Sequence, residues 1–91
     1  MIRRMQTRQV EVASSLGLHA RLAAQIVLLA SRFRCSVSLA FKGRTADARN
    51  LIAVMLLAAA VGSTIRIEAN GPDEAEAIAA LSSLIGDRSA R

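Results

Sequence analysis

Apolar residues alternate in three segments, recur at helical spacing in two others, and are separated by Gly- or Pro-bearing turns. Together with an apolar run rich in helix formers, these patterns predict an α+β open-faced sandwich in the order β-α-β-β-α-β-α. The architecture implied is a four-stranded antiparallel sheet, wet on one face and covered on the other by three helices. With 91 residues the chain supplies a single domain, 1–91, with basic, flexible ends near 1–5 and 88–91.

Val10 and Val12 alternate with Gln9 and Glu11, which predicts a first strand near 6–12 with one wet face. Ser14, Ser15 and Gly17 break that period. From Ala20 onward Ala23, Ile26, Val27, Ala30 and Phe33 recur at three and four residues, the inner stripe of a helix of about three turns. Val37, Leu39 and Phe41 alternate with Ser36, Ser38 and Ala40, and Lys42-Gly43 predicts a tight turn into a short partner strand around 44–47. Ala48 to Ala60 reads as a second helix, apolar on nearly every side, which Gly62 closes. A surface helix cannot bury all of those side chains, so Val54, Leu57 and Ala58 are assigned to the core and Leu51, Ile52 and Met55 to the outer side. Ile65, Ile67 and Ala69 alternate with Arg66 and Glu68 as a fourth strand, and Asn70-Gly71-Pro72 turns the chain. Asp73 and Glu76 have the spacing of a capping box for a third helix, whose inner stripe is Ala77, Ile78, Leu81, Leu84 and Ile85 and whose expected stop is Gly86.

Composition removes several function classes. The formal charge is +5, but Arg3, Arg4 and Arg8 at one end and Arg88 and Arg91 at the other carry most of it and leave the body near neutral. With no Trp or Tyr and two Phe, the chain lacks the stacking surface of single-strand binders, so no nucleic acid is expected as a partner. One Cys and one His cannot make a zinc set, so no metal is expected, and no organic cofactor motif is present. Cys35 reads as a small half-buried residue at a strand start. The longest apolar run, Leu51 to Val61, is too short for a membrane span, and no signal-peptide pattern follows the basic start. The expectation is a cytoplasmic protein with no membrane association.

The chemistry converges on one residue. His19 lies between Gly17 and the first helix, in Leu16-Gly17-Leu18-His19-Ala20-Arg21. A neutral imidazole is nucleophilic near neutral pH. An anion carried on its ring would meet the free backbone N–H groups of Ala20, Arg21 and Leu22, the turn at Gly17 and the Arg21 guanidinium. Spacing alone leaves a second reading open, in which His19 is an ordinary surface residue and Arg21 a solvated charge.

The run Leu16-Gly17-Leu18-His19-Ala20-Arg21, followed by Ala23-Ala24, by Gly62 and by Gly71-Pro72-Asp73-Glu74, resembles the HPr family of phosphocarrier proteins over about residues 6–87. The resemblance implies that His19 accepts a phosphoryl group on Nδ1 from phosphorylated enzyme I, itself charged by phosphoenolpyruvate. His19 then passes the group to a IIA-type acceptor, in sugar uptake or nitrogen-related regulation. The chain would be a reactant in a relay rather than a complete enzyme, a monomer without cofactor. The resemblance also implies that the outer side of the second helix, with Leu22, docks both partners. Two departures stand out. Leu22 occupies the place where the family motif usually has Pro, and Asn50 falls at the regulatory serine of many Gram-positive members, so that switch is lost. The stretches 48–53 and 67–72 look more like the nitrogen-related branch, NPr. A non-phosphorylated regulatory module of the same fold, and a small basic nucleic-acid-binding domain, are the rival readings.

Overall fold

A computed structural model describes residues 5–87; the basic ends expected to be flexible therefore lie, apart from Met5, outside the described residues. The alternating segments form β1 (Gln6–Glu11), β2 (Ser36–Phe41), β3 (Arg44–Asp47) and β4 (Thr64–Asn70). They make one sheet in the order β1-β4-β2-β3, every neighbouring pair antiparallel. Val10 faces Ile65 across the β1-β4 pair and Leu39 faces Ile67 across β2-β4, so the apolar residues share one face. That face is covered by α1 (Ala20–Ala30), α2 (Leu51–Leu56) and α3 (Glu74–Gly86). The core between the layers includes Ile26, Leu39, Val54, Ile65, Ile67 and Leu81, each fully buried. The opposite face carries Gln9, Ser38, Thr45 and Arg66, with Arg66 paired to Glu68 at 2.7 Å, and has no covering layer among the described residues.

Four local expectations are corrected. α2 spans six residues rather than thirteen. The Leu57 and Ala58 N–H groups bond three residues back, to Val54 and Met55, and Ala58 turns left-handed at φ 54°. The chain peels away there because Ala59 is needed elsewhere: its side chain is buried and its carbonyl accepts the Leu18 N–H at 2.9 Å. Val54 and Leu57 are in the core as expected, whereas Ala58 is exposed.

The capping box at α3 does not form. Asp73 makes no side-chain cap bond; both its oxygens accept the Arg34 N–H, at 3.0 and 2.8 Å, which ties α3 to the loop joining α1 and β2. That donation, foremost, holds the Asp73 carboxyl below the usual range. Glu74 instead reaches back to accept the Gly71 N–H at 3.0 Å. Cys35 is buried rather than half-buried, against a Gly71 backbone so close that a Cβ there would lie 2.6 Å from the cysteine. Burial, with Asp73 next, pushes the Cys35 thiol up to about 11. Gly86 is the last residue of α3, packed where a Cβ would meet Val10 at 2.8 Å.

Candidate functional site

The loop between β1 and α1 is built to deliver one residue. Gly17 donates its N–H to Ser14 at 2.9 Å and adopts φ 68°, a left-handed geometry that favours glycine. It also lies so close to the segment after α2 that a Cβ would stand 2.6 Å from the Ala59 carbonyl oxygen. Leu18 is buried, with its N–H on Ala59, so the loop is clamped on both sides of Gly17. His19 follows with extended backbone, φ −81° and ψ 173°, as the N-cap of α1.

An N-cap side chain ordinarily accepts an N–H from the first turn. The His19 ring makes no such bond, and the residue is half-buried. Its own carbonyl accepts from Ala23 at 2.9 Å, so the ladder of α1 begins one residue past Leu22. The N–H groups of Ala20, Arg21 and Leu22 consequently have no intrahelical acceptor. Arg21 is exposed beside them, and α1 has no acid in its first turn to neutralise the positive end of its dipole. The imidazole thus stands at a cationic, donor-rich helix start. Among the described residues no three His, Cys, Asp or Glu side chains gather as a metal centre would require.

Of the residues singled out from sequence, the structure brings Gly17, His19, Ala20, Arg21 and the Leu22 backbone together. The Leu22 side chain is the exception: it is 5% exposed and belongs to the core, so it offers no apolar area to a docking rim. It faces inward because it stands one residue before Ala23 and four before Ile26 on the buried stripe of α1. Leu51, Ile52 and Met55 are exposed as expected. Leu16, in the loop before His19, and Leu56, in α2, are 74% and 66% exposed and are further exposed apolar residues that the sequence reading left out. Leu56 could have been found by its place four residues after Ile52. Asn50 caps α2, its side-chain oxygen accepting the Ala53 N–H at 3.1 Å.

Comparison with known proteins agrees with this geometry. The family model described as "PTS HPr component phosphorylation site" matches residues 6–87. A phosphocarrier protein HPr from Cupriavidus necator is 44% identical over 84 residues, covering 92% of this chain and 94% of the other. The crystal structure of an HPr from Bacillus anthracis superposes with a TM-score of 0.86 at 36% identity, covering 89% and 96%. That of HPr from Thermoanaerobacter tengcongensis gives 0.88 at 31%, covering 94% and 97%. A matched β-α-β-β-α-β-α order, a histidine at the head of α1 and this likeness over nearly the whole length lead to one conclusion: the chain belongs to the HPr family, the phosphocarriers of the phosphotransferase system.

Proposed function

We propose that His19 is the phosphoacceptor, taking a phosphoryl group from an enzyme I-type donor and yielding it to a IIA-type protein. The observation that carries the reading is the uncommitted ring: His19 caps an 11-residue helix without bonding to it, beside three N–H groups with no intrahelical acceptor. With its proton on Nε2, the imidazole directs the Nδ1 lone pair at phosphorus. The N–P bond forms as the bond to the donor's leaving atom breaks, and that pair of electrons returns to the donor. The phosphoryl oxygens then accept from the Ala20, Arg21 and Leu22 N–H groups and from the Arg21 guanidinium. An anion at a helix start gains about 0.3–1 kcal/mol from the dipole at an exposed position. The N–P bond holds the group, and a contribution this small steadies it without removing its tendency to move on, which suits a carrier.

Leu51, Ile52 and Met55 form the surface on which both partners dock, excluding water while the group moves in line. Residues 5–87 act as a single domain, part of a cytoplasmic monomer that binds its partners one at a time. No helix among the described residues is long and apolar enough to cross a membrane. The serine switch is lost: Asn50 caps α2 through its amide and has no hydroxyl to receive a phosphate. Thr45, the nearest preceding hydroxyl, lies in β3.

Incubation with an enzyme I-type donor and labelled phosphoenolpyruvate gives an acid-labile label that His19→Ala abolishes while the fold survives; labelling of that variant at the normal rate would refute the assignment. A panel of IIA-type acceptors then reads out which output the carrier serves. An HPr serine kinase with ATP should add nothing, and stoichiometric modification at Thr45 would overturn the loss of the switch.

A further inference from the structure

The two central strands of the sheet do not stay together along their whole length. β2 and β4 pair from Ser36 opposite Asn70 to Ala40 opposite Arg66, and the pairing stops there. β2 nevertheless runs on to Phe41, opposite Arg44, while β4 begins earlier than Arg66, at Thr64, opposite Glu11 of β1. Between the Lys42-Gly43 turn and the start of β4 this divergence leaves a cleft of 370 Å³, within the size range of small-ligand sites. None of its lining residues belongs to the His19 loop, to α1 or to α2, so the phosphoryl-transfer site does not account for it.

Lys42, Arg44 and Arg66 line the cleft, and no described Asp or Glu does. Three cations at one opening repel one another, and each is held by a contact that leaves its donors available. The Lys42 ammonium lies 5.3 Å from the centre of the Phe41 ring instead of extending into water. Arg44 places a single N–H on the Leu56 carbonyl, at 3.4 Å. Arg66 donates its Nε–H to Glu68 at 2.7 Å, which offsets part of its charge, orients the guanidinium and leaves the terminal nitrogens for another acceptor. Gln9, Arg66, Ala40 and Thr45 stand in one row across the four strands, and the short Ala40 side chain leaves room at its centre. The side chains of Gln9, Thr45 and Thr64 make no hydrogen bond among the described residues.

An anion with several oxygens matches this set, because two guanidinium groups and an ammonium hold phosphate through charge-assisted hydrogen bonds. The uncommitted amide and hydroxyl groups beside them match hydroxyls on the same molecule. We propose that the cleft binds a small phosphomonoester. Its phosphate lies among Lys42, Arg44 and Arg66, and its hydroxyl-bearing body lies against Gln9, Thr45 and Thr64. The site is separate from the reading of His19 and does not rest on it.

The test is an amide NMR titration of the full chain with ribose 5-phosphate at fixed ionic strength, with inorganic phosphate and ribose as comparison probes. Ribose 5-phosphate should shift the Lys42, Gly43, Arg44 and Thr64 amides along one saturating curve. Inorganic phosphate should shift the same amides more weakly, and ribose should shift none. Lys42→Asn, suited to the left-handed backbone at φ 50°, combined with Arg44→Gln should raise Kd about tenfold. Arg32→Gln, which removes an exposed charge outside the cleft, should leave Kd unchanged. Core amides that keep their positions in the double variant show that its fold is kept. No saturating shift with ribose 5-phosphate, or an unchanged Kd in the double variant, would overturn the site. So would shifts confined to Ala20, Arg21 and Leu22, since the anion would then occupy the helix start beside His19. An equal loss in Arg32→Gln would overturn it as well, by making net charge the cause.

Discussion

Replacing Ala58 by glycine should stabilise the protein. Ala58 is exposed and sits at φ 54°, in the left-handed region where an L-residue brings its Cβ too close to the following carbonyl, at a cost of roughly 1–2 kcal/mol. Ala58→Gly removes that cost and forfeits little burial. It also adds freedom to the unfolded chain, which offsets about 0.5–1 kcal/mol. The net gain is about 0.5–1 kcal/mol, and at about 4–8 °C per kcal/mol for a domain of this size Tm should rise by about 2–8 °C. Urea unfolding should show a higher midpoint at an unchanged slope, since no more surface is exposed than before. Phosphorylation at His19 should be unaffected, because the Leu18 to Ala59 hydrogen bond is kept. Ala58→Val should move stability the other way, since a β-branched residue is a worse fit for this geometry. A Tm for Ala58→Gly equal to or below the wild type would refute the argument that α2 ends in a strained left-handed turn.

Cys35, buried and with its thiol raised to about 11, should resist alkylation in the native protein at pH 8 and react fully in denaturant. Because the folded value exceeds the thiol's ordinary value of 9.0, the native state holds the proton longer; the linked stability is complete below about pH 9 and lost as pH rises through about 11. A Cys35→Ala variant, followed by thermal melts across that window, should lose this part of the pH dependence. Asp73 has the opposite sign: its carboxyl is depressed by the Arg34 N–H, so its contribution is present above the ordinary carboxyl value of 3.8 and fades as pH falls through the lower folded value. Asp73→Asn should flatten the acid limb of the stability curve measured by circular dichroism. Leu22→Pro removes an N–H that has no intrahelical acceptor but also withdraws a buried leucine, so it should fold with a loss of about 2 kcal/mol in urea titrations and take label at an altered rate. A wholly unfolded Leu22→Pro protein would show that the helix start is misplaced.

The order of elements and the inward faces of β1, β2 and β4 were legible in the chain. Period-two and helical spacings are local consequences of backbone geometry, so Val37, Leu39, Ile65 and Ile67 could be assigned to the core before any neighbour was known. His19 stood out as the candidate because the run around it resembles a known family; its spacing alone was equally open to an ordinary surface residue. What local pattern does not encode is which strand lies beside which. Alternation in β4 is the same whether its neighbour is β1 or β3, and only joint burial under three helices decided the order β1-β4-β2-β3. The end of α2 was decided in the same way. A run of alanines and leucines favours helix through Ala60, but the buried Leu18 N–H needed the Ala59 carbonyl, and satisfying that group outweighed helix propensity. Asp73 left its capping role for the Arg34 N–H, and Leu22 turned into the core, because long-range contacts set the direction of a side chain that spacing can only place on a helix.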